Sequence, residues 1–164
     1  MPRTLFLLLI GLVLLIPATL QAQQQEAPPI TLETPYNAAY VHLYYLQPDS
    51  YRPALAAQAL PETGDSLQRV RLAIKLKQIY DGKGLYMRFN RIPREADYLD
   101  STVMQAVFTP FPNELPQVYL ERDGDQWRYS EETVTKIDEL HEEVYPFGAD
   151  LLMRLAPIVG EREI

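Results

Sequence analysis

Between Gln117 and Tyr129 two short strand-like runs flank Arg122-Asp123-Gly124-Asp125. Asp-Gly accepts the positive φ angles of a tight turn, so Gln117–Glu121 and Gln126–Tyr129 form the arms of an antiparallel hairpin. Strand alternation places Trp127 and Tyr129 on one face of it. No other stretch of the chain commits so firmly to one local geometry.

What precedes the hairpin has mostly helical spacing. Thr34-Pro35 opens a first helix, with a hydroxyl to cap free N–H groups and a proline where its missing donor costs nothing. Tyr36, Ala39, Tyr40, Leu43 and Leu46 carry it to about Leu46, and Pro48 closes it. Arg52-Pro53 opens a short second helix that reaches Leu60 before Pro61. A loop of Glu62-Thr63-Gly64 leads to Asp65 or Ser66 as a cap, and a third helix runs from Leu67 to Tyr80. Its apolar positions (Leu67, Val70, Leu72, Ile74, Leu76, Ile79) make a wide stripe suited to a central place. Asp81-Gly82-Lys83-Gly84 ends it, because glycine readily takes the left-handed conformation of a helix stop. Gly82 and Gly84 are therefore expected to resist substitution for backbone reasons.

At Leu85 the period changes to two. Leu85, Met87 and Phe89 share one face and Tyr86, Arg88 and Asn90 the other, which predicts a half-buried strand. Prolines 93, 110, 112 and 116 break the pattern beyond it, leaving room for one short strand near Val103 to Phe108. After the hairpin, Ser130 caps a fourth helix with Glu131 and Glu132 in its first turn, where the helix dipole favours negative charge. Val134, Ile137, Leu140 and Val144 form its buried side. Tyr145-Pro146-Phe147-Gly148 makes a turn, and 149–158 has the pattern of a last apolar helix. Helices, strand, hairpin and helices in that order indicate an α+β domain, several helices packed on a small antiparallel sheet.

The start of the chain has a different character. Arg3, an apolar block from Leu5 to Ile16, Pro17 and the small residues leading to Ala22 have the layout of a secretory signal peptide, which places the working protein in the periplasm. The apolar block is too short for a bilayer-spanning helix, which needs roughly 20 residues. Removing residues 1–22 leaves 142 of the 164, enough for one domain with a core. Residues 23–33, rich in glutamine and proline, form a flexible leader, 34–160 the domain and 161–164 a tail. Without Arg3 the chain holds 14 basic and 22 acidic residues, a net charge of −8. Phosphate binding needs a clustered basic surface, so nucleic acid is not an expected partner. Cysteine is absent, which rules out disulfides and thiolate metal sites.

Catalytic and metal constellations are missing from the sequence. His42 and His141 lie in separate helices without a second histidine at i+4, so no zinc site is expected. His141, beside Glu142-Glu143, falls on a solvated helical face, and His42 is a partly buried helix residue. Serines 50, 66, 101 and 130 have no nucleophile-elbow context. Asp81-Gly82-Lys83-Gly84 follows a helix and lacks the phosphate-loop frame, and Asp123 and Asp125 stand without the rest of a calcium loop. No enzyme activity and no cofactor is expected. Tyr40, Tyr44, Tyr45 and Tyr51 cluster and could offer a partner surface, although such rings also cover cores and turn their hydroxyls to the rim. Trp127, Gly82, Gly84, Gly124 and Ser130 are expected to act structurally.

Six segments stand in order along the chain: Thr34-Pro35-Tyr36-Asn37, His42 to Asp49, Lys75 to Gly84, Val118 to Glu121, Trp127 to Thr133 and Glu143 to Gly148. Together they resemble the extracytoplasmic N-terminal region of bacterial small-conductance mechanosensitive (MscS-type) ion channels, from about Thr34 to Gly160. The resemblance implies a periplasmic domain preceding transmembrane helices, a pore and a cytoplasmic vestibule. None of that conducting machinery maps onto residues here, and the mature chain has no stretch long enough to span a bilayer. The expectation is a non-enzymatic domain that belongs to, or associates with, such channel subunits at the outer face of the inner membrane and modulates their assembly or gating. The alternative is a free-standing periplasmic ligand- or peptide-binding module that uses the tyrosine-rich segment 36–51.

Overall fold

The computed structural model describes residues 30–62 and 64–148. The expected signal peptide 1–22, leader residues 23–29, the expected helix 149–158 and the tail 161–164 lie outside the described residues.

Among the described residues four α-helices pack against a three-stranded antiparallel sheet, an α+β architecture. Helix α1 spans Pro35–Tyr44, α2 Pro53–Ala56, α3 Ser66–Gly82 and α4 Glu131–Val144, and strands β1, β2 and β3 span Val107–Phe108, Leu120–Asp123 and Gln126–Tyr129. Short 3₁₀ turns occupy Pro48–Ser50, Ala57–Ala59 and Phe89–Arg91. The sheet order is β1-β2-β3, with Arg122 opposite Trp127 and Phe108 opposite Leu120.

Local chemistry sets the helix starts. Thr34 accepts the Asn37 N–H at 3.1 Å, and Ser130 accepts the Thr133 N–H at 3.0 Å. Such caps are typically worth about 1 kcal/mol. The Ser130 cap also ties helix to sheet. Thr133 Oγ1 accepts the Tyr119 N–H at 3.0 Å, and the Ser130 N–H donates to the Tyr119 carbonyl at 3.0 Å. Gly124 holds a φ of 59° while Asp125 stays negative, the pattern of a type II′ turn with glycine first.

Several boundaries differ from the sequence reading. The first helix stops at Tyr44, two residues early, and Leu46 N–H turns back to the Leu43 carbonyl at 3.3 Å. The second is one α-turn tightened into 3₁₀ from Ala57. The third continues to Gly82, so the left-handed stop is Gly84 alone, at φ 66°. The strand near 103–108 shrinks to Val107–Phe108. Asp100 captures the chain before it, with its carboxylate accepting Thr102 N–H at 2.7 Å and its carbonyl accepting Met104 N–H at 2.8 Å. The strand over 85–90 is absent as a ladder. Leu85, Met87 and Phe89 are half-buried and Tyr86, Arg88 and Asn90 exposed, as the period says, but no strand lies alongside. Alternation reports which side chains are covered, and a ladder needs a partner as well.

The leader also enters the fold at its end. Leu32 is buried, and its carbonyl accepts the Trp127 N–H at 2.6 Å. The core lies between α1, α3, α4 and the inner face of the hairpin, and its largest fully covered residues include Trp127, Tyr129, Leu60, Leu76, Ile79 and Ile137. Each aliphatic side chain of this kind stabilises by about 1.5–3 kcal/mol when fully covered. Leu67 falls off the expected stripe of α3 and is exposed.

Gly82 has a role other than backbone freedom. A Cβ there would sit 2.3 Å from Val144 Cγ1 and 2.7 Å from Tyr145 Oη, so the glycine lets the ends of α3 and α4 touch. Gly82→Ala gains about 1 kcal/mol of helix propensity but overpacks this contact, which typically costs about 1–3 kcal/mol. A net loss of stability of about 1 kcal/mol is expected in urea titration. A stabilised variant would show that the α4 end yields freely.

Candidate functional site

Spacing of four along α1 puts Tyr36, Tyr40 and Tyr44 on one face. Their rings stack in a ladder, with centroids 5.8 Å apart for Tyr36–Tyr40 and 5.3 Å for Tyr40–Tyr44. Phe89 sets its edge against both Tyr36 and Tyr40 at 5.7 Å, and the Arg94 guanidinium lies 3.6 Å over the Tyr36 ring. Each aromatic pair contributes roughly 0.5–1.5 kcal/mol beyond burial. Partial burial, then the neighbouring tyrosines, raise the Tyr40 pKa.

Of the four tyrosines singled out in the sequence, Tyr44, Tyr45 and Tyr51 line one open groove of about 320 Å³, while Tyr40 lies in the ladder beside it. Tyr40 and Tyr44 belong to the ladder, Tyr45 turns inward and is buried, and Tyr51 lies beyond a 3₁₀ turn at 55% exposure. Stacking also uses up the ring faces. Tyr36 lies between Arg94 and Tyr40, and Tyr40 between Tyr36 and Tyr44, so neither offers an open aromatic platform. The i, i+4 relation of Tyr36 to the others was legible in the sequence. Phe89 and Arg94 were not, because their approach depends on how the 85–94 segment crosses α1.

Behind α1 lies a second polar feature, fully enclosed. His42 is buried, with Nε2 2.9 Å from the Ala73 carbonyl and Nδ1 3.2 Å from the Tyr129 hydroxyl. A carbonyl only accepts, so Nε2 carries the proton and Nδ1 accepts from Tyr129. Tyr80 in turn donates to the Tyr129 oxygen at 3.3 Å. A directed relay thus runs Tyr80, Tyr129, His42, Ala73, joining α3, β3 and α1. Burial is the main cause that depresses the His42 pKa to about 4, and the same desolvation raises those of Tyr80 and Tyr129. At neutral pH all three are uncharged, which makes the relay a device for fixing the arrangement of elements.

His141 departs from its expected solvated face. It lies between α3 and α4, with Nε2 2.8 Å from Gln78 Oε1 and its ring 5.0 Å from Tyr145. Burial lowers its pKa, with Lys75 adding to the effect. Glu142 and Glu143 remain exposed. Trp127 is fully buried, and its indole N–H donates to the Ala96 carbonyl at 3.0 Å.

Among the described residues no group of three or more histidine and carboxylate side chains is placed to hold a metal ion. Nor is any helix there long and apolar enough to cross a membrane. Comparison of the chain with protein-family models, curated proteins and solved structures finds no match. No family is shown. What the geometry does bring together is five of the six segments singled out above, all but Thr34-Pro35-Tyr36-Asn37. His42 meets Tyr80 and Tyr129, Tyr119 meets Thr133, and Gly82 packs beneath Val144 and Tyr145.

Proposed function

We propose that this chain is a non-enzymatic extracytoplasmic domain of the kind found at the N-terminus of MscS-type mechanosensitive channels, where it modulates channel assembly or gating. One observation carries the reading. Five of the six segments on which the resemblance rests touch one another inside a single folded unit, through the His42 relay, the Tyr119–Thr133 hydrogen bond and the Gly82 contact. Residues that act together in packing are the ones a shared fold would retain.

On this reading the N-terminal 22 residues direct export, and the chain beyond Gly148 leads toward channel subunits in the inner membrane. A photoreactive residue in place of Phe147, which is 82% exposed at the end of the described region, tests it in intact cells carrying an MscS-type channel gene. Cross-links to a channel subunit in the membrane fraction are expected, with the domain open to protease added to spheroplasts. Protection from that protease, or an absence of channel cross-links, would reject the proposal.

The alternative, a free-standing binding module built on Tyr40, Tyr44, Tyr45 and Tyr51, draws less support. Tyr44, Tyr45 and Tyr51 do line one groove, but Tyr45 is buried and the ladder faces of Tyr40 are already stacked.

A further inference from the structure

The segment Leu85–Arg88 has the period of a strand, with half-buried and exposed side chains alternating, and meets no ladder among the described residues. Leu85 N–H is held by the Tyr80 carbonyl at 2.8 Å, and the chain closes again where Arg91 N–H reaches the Arg88 carbonyl at 2.8 Å. Between these two ties, the N–H groups of Tyr86, Met87 and Arg88 have no main-chain partner among the described residues. Tyr86 is 83% exposed. Unpaired main-chain donors on a segment with strand-like alternation are a template for an added strand.

Open grooves flank this ridge on both sides. One, of about 400 Å³, is walled by Phe108, Pro110, Phe111 and Pro112, and the other, of about 260 Å³, by Leu43, Gln47 and Lys77. Side chains of an added strand would alternate into and away from such walls. Charge selects the occupant. Two carboxylates line the grooves, Asp81, paired with Lys77 at 2.5 Å, and Glu114, whereas Lys83, Arg88 and Arg91 are exposed and make no ion pair among the described residues. Self-pairing of two copies across a two-fold axis would bring these cations together, so the charge disfavours a second copy and favours an acidic strand.

We infer that Leu85–Arg88 is a docking edge for an extended acidic peptide that pairs with its main chain and sets alternate apolar side chains in the flanking grooves. This is independent of the channel reading and survives its failure.

The probe is a synthetic peptide of about ten residues alternating valine and glutamate, the length of a long strand. Backbone amide NMR of the exported domain reads both shifts and hydrogen exchange. With the peptide, the Tyr86 and Arg88 amides, which alternate onto the edge opposite to the one where Leu85 N–H meets the Tyr80 carbonyl, are expected to shift and to exchange at least about tenfold more slowly, since forming a hydrogen bond closes the exchange-competent state. A valine–lysine peptide should bind at least about tenfold more weakly, and Arg88→Glu should reverse that preference. Tyr86→Pro, which removes one of those donors at an exposed position, should weaken binding at least about tenfold while leaving the thermal transition intact. Unchanged Tyr86 and Arg88 amides with the acidic peptide would overturn the inference. So would concentration-dependent protection of the same amides without peptide, which would make a second copy the partner.

Discussion

Trp127→Ala should remove about 3–5 kcal/mol of folding stability, the largest effect expected from any single substitution in this chain. The indole is completely enclosed, with Tyr98 tilted against it at a centroid distance of 6.3 Å. Truncation leaves a cavity where β3, the 30–33 segment and the 96–98 loop meet. It also strands the Ala96 carbonyl that accepts the indole N–H. Domains of this size are typically stable by about 5–15 kcal/mol, so the variant would sit near the edge of folding at ambient temperature. Urea denaturation measures the loss. Trp127→Phe separates its two parts, because it fills most of the space but leaves the carbonyl unpaired, at a cost of about 1–3 kcal/mol. A loss under about 1 kcal/mol for the alanine variant would show that the indole lies outside the core in solution.

Acid should act through His42. Its folded pKa of about 4 lies below the ordinary value of 6.5. Above pH 6.5 the ring is neutral in both folded and unfolded chains and makes no difference. Between 6.5 and 4 the unfolded chain takes up a proton that the folded chain refuses, so stability falls as pH falls through that window. The shift corresponds to about 3 kcal/mol lost by pH 4. Protonation would also place a donor on Nδ1 where Tyr129 now donates, reversing the relay. Carboxylates add their own acid response, so the decisive quantity is the difference from His42→Gln. That variant should be less stable at pH 7, since it loses ring packing, yet its stability should decline less between pH 7 and pH 4, by about 3 kcal/mol. Parallel curves for the two proteins would remove His42 from the acid response.

The sequence was most informative where structure is decided by near neighbours. Thr34 and Ser130 cap as expected because each bonds to an N–H three residues on. The Asp123-Gly124 turn forms because its φ requirement belongs to one residue. Trp127 and Tyr129 share the inner face because strand geometry alternates regardless of context. The misreadings have a different origin. His141 looked solvated beside two glutamates, and only the placing of Gln78 and Tyr145 across the α3–α4 contact covers it. Gly82 looked like a helix stop, whereas its constraint comes from Val144 and Tyr145, more than sixty residues later.

The candidate site divides in the same way. A tyrosine face on α1 follows from spacing alone. That its rings close on one another, with Phe89 and Arg94 completing the stack, follows from where another segment crosses it.

By itself, then, the sequence determined the α+β class, the helix starts, the hairpin and its buried face, since these rest on torsional preference and hydrogen bonds within a few residues. The tertiary structure alone decided that His42, Tyr80 and Tyr129 form one enclosed relay and that the strand-like segment at Leu85 meets no partner within the described fold. Both depend on which distant elements come to lie side by side, and burial and ladder pairing are set by that arrangement, not by the residues of a segment taken alone.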